Sequence, residues 1–289
     1  MNVHHVARVD LRTAIRSRMV RWLTGVLTGL SVLGVSLVAL LGVEDATAVD
    51  AVGPLSLPAV LVVPLAAIVV GYVAVVGERR TGSLKVLLGF PVSRGAVVAG
   101  KLVARAATVV LAVLVAFAVS GVLAAVLYGG VPLGRYAAFT LATVALGVAF
   151  AGSAVGVSAA VATRGRALAL AVGSYLLLVL FWQPVVAGIH YAATGDLPGT
   201  VVPAWYLLLD RLSPVGAYQV LVRAALDTTA TASVFAVRPP AASAASLSAQ
   251  LGGDPIPWYL SNVAAALVLC MWTVLPVGVG YLRFRGRDL

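Results

Sequence analysis

Residues 136–162 read YAAFTLATVALGVAFAGSAVGVSAAVA and contain no charged side chain. An α-helix needs about 20 apolar residues to cross a bilayer core roughly 30 Å thick, so this run is long enough to cross even when tilted. Gly152 and Gly156 stand four positions apart within it, a spacing that lets two helices approach closely. The run therefore predicts a transmembrane helix that packs tightly against a neighbour in the same subunit or in a second one, with the lining of a pore as the open alternative.

Similar uncharged runs occur along the whole chain. The other five are Trp22–Gly42, Leu57–Gly77, Ala106–Leu127, Ala167–Ile189 and Tyr259–Leu282. The 289 residues are 61% hydrophobic and 10% charged, with a mean hydropathy of +1.05, which excludes a soluble domain. We predict an all-α polytopic membrane protein with six transmembrane helices that form one domain over residues 1–289. Gly25 and Gly29 repeat the close-packing spacing in the first run, and Pro64 and Pro184 predict kinks.

The charged residues all lie outside these six runs and are unevenly divided between the two sides. Most of the 20 Lys and Arg residues precede the first run, lie between the second and third or the fourth and fifth, or follow the sixth. Most of the acids occupy the other connections. By the positive-inside rule the basic segments, and hence both termini, are cytoplasmic. A pump or ion-coupled carrier usually keeps ionisable groups at membrane depth, so these classes are disfavoured.

Residues 1–21 predict an amphipathic interfacial helix, an elbow ahead of the first span. The apolar side is Ala7, Leu11, Ala14, Ile15 and Trp22, and the neighbouring basic side is Arg8, Arg12 and Arg16. The arginines are expected among anionic lipid head groups.

The connection between the second and third runs, residues 78–105, is patterned more strongly than a linker. Within GERRTGSLKVLLGFPVSRGAVVAGKLVAR, Gly82 and Ser83 can begin a short helix whose apolar face is Leu84, Leu87 and Leu88, ended by Gly89 and Pro91. Ser93 is predicted to cap a second helix that continues into the third span. Arg94, Lys101 and Arg105 share one face of that helix, which predicts a basic surface for a soluble partner.

The same stretch nearly spells a phosphate-binding loop, because Gly95 precedes Gly100 and Lys101 at the required spacing. A working loop follows a strand and places Ser or Thr after the Lys, whereas Leu102 stands there and a membrane span follows. We therefore predict no nucleotide site in this chain. Three Met, three His and one Cys form no cluster in the sequence, so no metal site is predicted either.

The string from Gly77 to Lys101 resembles the signature of ABC-2 type transporter permeases, the membrane subunits of ABC exporters. The matching residues are Gly77, Glu78, Arg79, Gly82, Ser83, Leu84, Leu87, Leu88, Pro91, Ser93, Arg94, Gly100 and Lys101. The resemblance extends over most of the chain, through TRGRALALAVGSYLLLVLFW at the fifth run and LSPVGAY in the following segment. Within the family the chain most resembles the branch that includes the permease of the nitrous-oxide reductase maturation system.

The resemblance implies export across the cytoplasmic membrane of a substrate that the sequence does not identify. Two permease copies, identical or paralogous, would each bind a cytoplasmic ABC ATPase that carries the ATP and Mg²⁺. This chain would itself be no enzyme, bind no cofactor and contact the lipid bilayer but no nucleic acid. The implied ATPase-coupling residues are Glu78, Arg79, Gly82, Leu84, Leu87, Leu88, Pro91, Arg94 and Lys101. The leucines would lie in a groove of the ATPase, with Glu78, Arg79 and Arg94 at its rim.

Residues 190–258 form the longest external segment. Its first part predicts one or two short helices that rest on the outer interface around Pro214, and its second part is low-complexity Ala/Ser/Pro sequence. Together they are expected to cap the outer exit of a translocation path.

Other function classes fit the sequence less well. A membrane enzyme needs a nucleophile, a base or a metal triad, and no His, Asp or Glu lies within the six runs. An ion-coupled secondary transporter usually shows inverted repeats and buried ionisable groups. Two alternatives remain open, a non-transporting membrane anchor for a signalling or assembly complex and an ion-coupled secondary transporter.

Overall fold

A computed structural model describes residues 3–41, 47–81, 93–227 and 243–286, and within these residues the chain is helical and contains no strand. Six helical segments are long and apolar enough to cross a membrane, as predicted. They are span 1 (Arg18–Leu40), span 2 (Ala48–Arg79), span 3 (Arg94–Tyr128), span 4 (Leu133–Ala160), span 5 (Arg164–Thr194) and span 6 (Asn262–Arg285). Ser93 caps span 3 as predicted, because its hydroxyl accepts the Ala96 N–H. We call the end of the bundle at Arg94 and Arg285 the near end and the opposite end the far end.

The elbow helix, Val3–Arg16, precedes span 1 and packs against the near end of span 3. Ala7 and Ala14 are buried there, and the arginines of the predicted basic side are exposed. The prediction that Trp22 continues the apolar side of this helix is wrong. The chain breaks at Ser17, so Trp22 belongs to span 1, where 74% of its surface is exposed.

Span 4 is, together with span 2, more buried than the other spans, and it has span 6 along one side. Its small residues explain the contact: a Cβ at Gly152 would overlap the backbone of Thr273, and one at Gly156 would overlap the carbonyl of Pro276. The G-x-x-x-G pattern of span 4 is thus used within the subunit. The same pattern in span 1 is open, since no atom lies within 4 Å of a Cβ added at Gly25 or Gly29.

A proline in span 6 and a turn in span 2 each interrupt the helical hydrogen bonding. In both places a serine of span 4 forms hydrogen bonds with the backbone groups that have lost their helical partner. Pro276 lacks the N–H that would bond the Trp272 carbonyl, and the Ser153 hydroxyl donates to that carbonyl at 3.3 Å instead. Span 2 is interrupted by a turn at residues 72–75, after which the Ser158 hydroxyl accepts the N–H groups of Val75 and Val76. The segments of span 2 are Ala48–Val52, Gly53–Leu55, Ser56–Gly71 and Val76–Thr81.

Span 5 is irregular at the place where its proline predicted a kink. A helix over Arg164–Tyr175 passes into a π-helical turn at Leu176–Phe181, and a regular helix resumes over Trp182–Thr194. Pro184 lies just beyond the turn, whose wider hydrogen-bonding pattern accommodates the missing N–H.

The segment after span 5 was predicted to rest on the membrane interface, but its helices pack into the bundle instead. Ala204–Arg211 and Pro214–Leu226 form a helical hairpin, here called the outer hairpin, whose second helix packs between spans 4 and 6. Tyr218 is fully buried with its hydroxyl 3.3 Å from Thr143 Oγ1, and the Trp272 indole donates to the Leu212 carbonyl. Because Trp272 lies about 15 Å along span 6 from Asn262, the hairpin reaches well into the bundle. Ala244–Gln250 and Trp258–Leu260 connect it to span 6.

Candidate functional site

The residues predicted to couple the chain to a partner fall into two groups. Gly82, Leu84, Leu87, Leu88 and Pro91 lie outside the described residues, so their role stays a prediction. Glu78, Arg79, Arg94 and Lys101 lie on either side of that stretch and meet at the near end of the bundle. With the elbow helix and the end of span 6 they form the candidate functional site.

An ion cluster joins three separate elements at this site. The Lys101 ammonium, on span 3, lies 2.6 Å from Glu78 Oε1 at the end of span 2 and 3.6 Å from Asp10 Oδ1 on the elbow helix. Arg105, one turn further along span 3, pairs with Asp10 at 3.0 Å. Lys101 is only 1% exposed, so its charge is compensated by these carboxylates rather than by water.

The basic face predicted for the start of span 3 is therefore turned inward, which corrects its assignment as a surface for a soluble partner. Lys101 faces Glu78 and Asp10, Arg105 faces Asp10, and Arg94 reaches the end of span 6. The spacing along the helix was read correctly. The spacing alone does not predict which side of the helix faces the carboxylates and carbonyls of the protein.

Arg79 and Arg94, which flank residues 82–92, converge on Phe284 near the end of span 6. Their guanidinium carbons lie 5.4 and 5.6 Å from the centre of its ring, and the ring is fully buried. Arg94 Nη1 also donates to the carbonyls of Phe284 and Arg285, both at 3.0 Å. The last carbonyls of a helix lack partners within the helix, so Arg94 caps span 6 while cation–π contact fixes the ring. We call Arg79, Arg94 and Phe284 the clamp.

Local sequence explains how these side chains are positioned. The turn before Val76, stabilised by Ser158, starts a new short helix that carries Glu78 and Arg79 toward span 3 and span 6. The Ser93 cap starts span 3 so that Arg94 lies in its first turn.

Two residues of the site, Asp10 and Phe284, were not predicted from the sequence. Asp10 did carry a signal, since it is the one acid among the arginines ahead of the first span. Phe284 lies between Arg283 and Arg285 and looks like part of a basic tail, so nothing in its neighbourhood indicates a buried ring.

The site connects separate helices rigidly. Among the residues that the structure describes, no group of three or more His, Cys, Asp or Glu side chains is placed to hold a metal ion. Oppositely charged groups from the elbow helix, span 2 and span 3 are locked in one arrangement, and the clamp adds span 6.

The chain is similar to known proteins along almost its whole length. Residues 4–289 match the family model described as ABC-2 family transporter protein. The chain is 30% identical over 300 aligned residues to the probable ABC transporter permease protein NosY of Stutzerimonas stutzeri, covering 99% of this chain and 98% of that protein. It is 27% identical to the protein of the same description from Pseudomonas aeruginosa PAO1, with 98% of each chain covered.

Proposed function

We propose that this chain exports its substrate by receiving motion from an ATPase partner at the near-end site. The chain belongs to the ABC-2 transporter family and is the membrane permease subunit of an ABC transporter. The family implies an ATPase partner subunit, and the chain is a multi-pass membrane protein. In the proposal the near end is cytoplasmic, ATP is hydrolysed only on the partner, and residues 82–92 are the segment that the partner moves.

The ion cluster is the observation that carries this proposal. Breaking a buried pair by removing one partner is expensive, because the remaining charge is left in a medium of low polarity. The contacts of Lys101 with Glu78 and Asp10 therefore hold the end of span 2 and the elbow helix to span 3 as one unit. A unit of this kind shifts as a whole, which suits a device that converts an ATPase movement into a rearrangement of spans.

The clamp extends the same unit to span 6. Arg79 and Arg94 bracket the proposed moving segment and both contact Phe284. The backbone of span 6 in turn lies against the backbone of span 4, because Gly156 and Gly280 have no side chain to separate the two helices. The clamp therefore connects the segment to the helix pair at the centre of the bundle.

A second permease copy is proposed to pack on span 1. The glycine stripe of span 4 is occupied within the subunit, whereas that of span 1, Gly25 and Gly29, is open. Large apolar side chains continue along span 1, including Leu33, which is 54% exposed. A small-residue groove flanked by such side chains suits a close helix contact with a second copy of this chain or a paralogue.

The orientation is tested by reporter fusions. We expect a reporter joined at Lys85 to be cytoplasmic and reporters joined at Asp45 or Ala241 to be external. An external reporter at Lys85 would contradict the orientation and the coupling proposal together.

The coupling proposal is tested in the complex of this chain with the ABC ATPase that co-purifies with it. Leu87→Asp combined with Leu88→Asp is expected to abolish co-purification of the ATPase, because charges replace the proposed apolar anchors. Phe284→Ala is expected to retain the ATPase and to lose the ATP-dependent movement of the far end. That movement is measured by pulsed electron paramagnetic resonance between spin labels on Asp254→Cys in two copies, with Cys270→Ala as background.

Leu282→Ala is the matched control, because Leu282 lies within one helical turn of Phe284 on span 6 and is 66% exposed. It is expected to behave as the parent chain. If Phe284→Ala preserved the ATP-dependent distance change, the clamp would not be part of the transmission path.

A further inference from the structure

An open recess of about 980 Å³ lies at the start of span 1, at the near end of the bundle. The described residues that line it are Arg18, Arg21, Trp22, Gly25 and Val26. They follow one another at helical spacing, so one face of the helix carries all of them. Trp22 is 74% exposed and Val26 is 45% exposed, so within the described part of the chain this face is uncovered.

Two cations border the recess, and no described carboxylate pairs with them. Arg18 and Arg21 are exposed, and none of the ion pairs between described residues includes either of them. The acids described at this end, Asp10 and Glu78, belong to the ion cluster. Two guanidinium groups within one helical turn can direct their planar sets of donors at one phosphate. This part of the recess therefore favours a ligand with an anionic phosphate.

The recess extends from the head-group level of a bilayer into the hydrocarbon. Arg18 and Val26 are about 12 Å apart along the helix axis. The head-group layer on each side of a bilayer is roughly 5 to 7 Å thick, so the recess is longer than this layer. Trp22 lies between its two ends, and tryptophan is enriched at the boundary of head groups and hydrocarbon. Beyond Val26, the exposed side chains of Leu30 and Leu37 continue an apolar ridge.

We propose that the recess binds an anionic phospholipid, with its phosphate at Arg18 and Arg21 and one acyl chain along Val26. A zwitterionic phospholipid fits less well, because its ammonium group would add a positive charge beside two arginines. An acidic peptide also fits less well, because its backbone would enter the hydrocarbon, where polar groups find no water.

The inference does not rest on the coupling proposal, because none of the lining residues belongs to the ion cluster or the clamp. The second copy proposed to pack on span 1 would lie over Gly25 and Gly29. Successive residues of a helix point about 100° apart, so Val26 and Leu30 lie on the adjoining side. The lipid chain therefore borders the contact between copies and does not fill it.

The test is the quenching of Trp22 fluorescence by brominated lipids. The full chain is placed in nanodiscs of phosphatidylcholine and phosphatidylglycerol, one of which carries bromine near the carboxyl end of its acyl chain. The Trp22 contribution is the difference between the parent chain and Trp22→Phe. We expect at least a tenfold preference for brominated phosphatidylglycerol, since each arginine near an anionic lipid favours binding about fivefold. The preference should fall as salt is added.

A matched pair of double variants separates the recess from the general charge of the near end. Arg18→Gln combined with Arg21→Gln should lower the preference to about twofold or less. Arg166→Gln combined with Arg283→Gln removes the same charge from exposed positions that are not among the described lining residues. This control should keep the parent preference to within about twofold.

Three results would overturn the inference. Equal quenching by the two brominated lipids in the parent chain is the first, and it does not depend on how any arginine variant folds. An equal loss of preference in the two double variants is the second, because it would indicate attraction to the whole near end. The third is complete disulfide cross-linking of two copies through Trp22→Cys, with Cys270→Ala as background, because it would assign the recess to a second copy.

Discussion

Replacement of Lys101 by Met is the sharpest test of the near-end site. Met has nearly the length of Lys and is apolar, so the change removes the buried charge with little change in packing. It leaves Glu78 without the 2.6 Å contact and leaves two carboxylates near each other. Loss of one partner of a buried pair costs about 3 to 5 kcal/mol.

The structure sets the expected loss at the lower end of that range. The Glu78 side chain is 32% exposed and can take up water, and Asp10 keeps Arg105 at 3.0 Å. We expect the free energy of unfolding to fall by about 3 kcal/mol. A chain of this size loses roughly 2 °C in Tm per kcal/mol, so the purified protein in detergent should unfold about 6 °C lower.

A double variant distinguishes the ion pair from a general packing effect. In Lys101→Met with Glu78→Gln the acid that lost its partner is also neutral, so the two losses should fall short of additivity by about 1 to 2 kcal/mol. The assay is differential scanning fluorimetry of all variants, with Arg166→Met as the exposed control that should stay within about 1 °C of the parent. A Lys101→Met chain as stable as the parent, or strict additivity in the double variant, would refute the reasoning.

Two further predictions concern packing, and both are measured as shifts in Tm. Gly156→Ala should lower stability by about 3 kcal/mol, because its Cβ meets backbone of Pro276 that cannot move aside, whereas Gly25→Ala should leave the isolated subunit unchanged. Trp272→Phe should cost about 1 kcal/mol through the lost bond to the Leu212 carbonyl, whereas Trp258→Phe, at a 77% exposed position, should be neutral. Equal effects within either pair would contradict the corresponding contact.

The number of spans was predictable because it depends on a local property, the length of uncharged sequence. The start of span 3 was predictable for a similar reason: a cap requires only Ser93 and the N–H three positions later. The surroundings of Lys101 were not predictable. Asp10 lies far from it in sequence, and the sequence around a single basic residue does not show whether its side chain faces water or a carboxylate.

The prediction that the outer hairpin lies at the membrane interface was wrong for a different reason. An apolar helix outside the six runs fits a membrane interface as well as the interior of a bundle. Within PVGAYQVLVRAAL the apolar residues occur on all sides, which is typical of a helix that is buried all round rather than on one face. Tyr218 supported that reading too, because a buried tyrosine needs a polar partner and Thr143 provides one.

Span 6 is the element that relates the two ends of the bundle. At the near end the clamp holds Phe284, midway the Trp272 indole holds the turn of the outer hairpin, and ahead of its first residue the Leu260 carbonyl accepts from Arg211. Between Trp272 and Phe284, the backbone of span 6 lies against the backbone of span 4. In the coupling proposal, a shift imposed on the clamp would therefore reach the hairpin through span 6. In the proposed exporter this would couple the nucleotide state of the ATPase, bound at the near end, to the position of the outer hairpin at the far end.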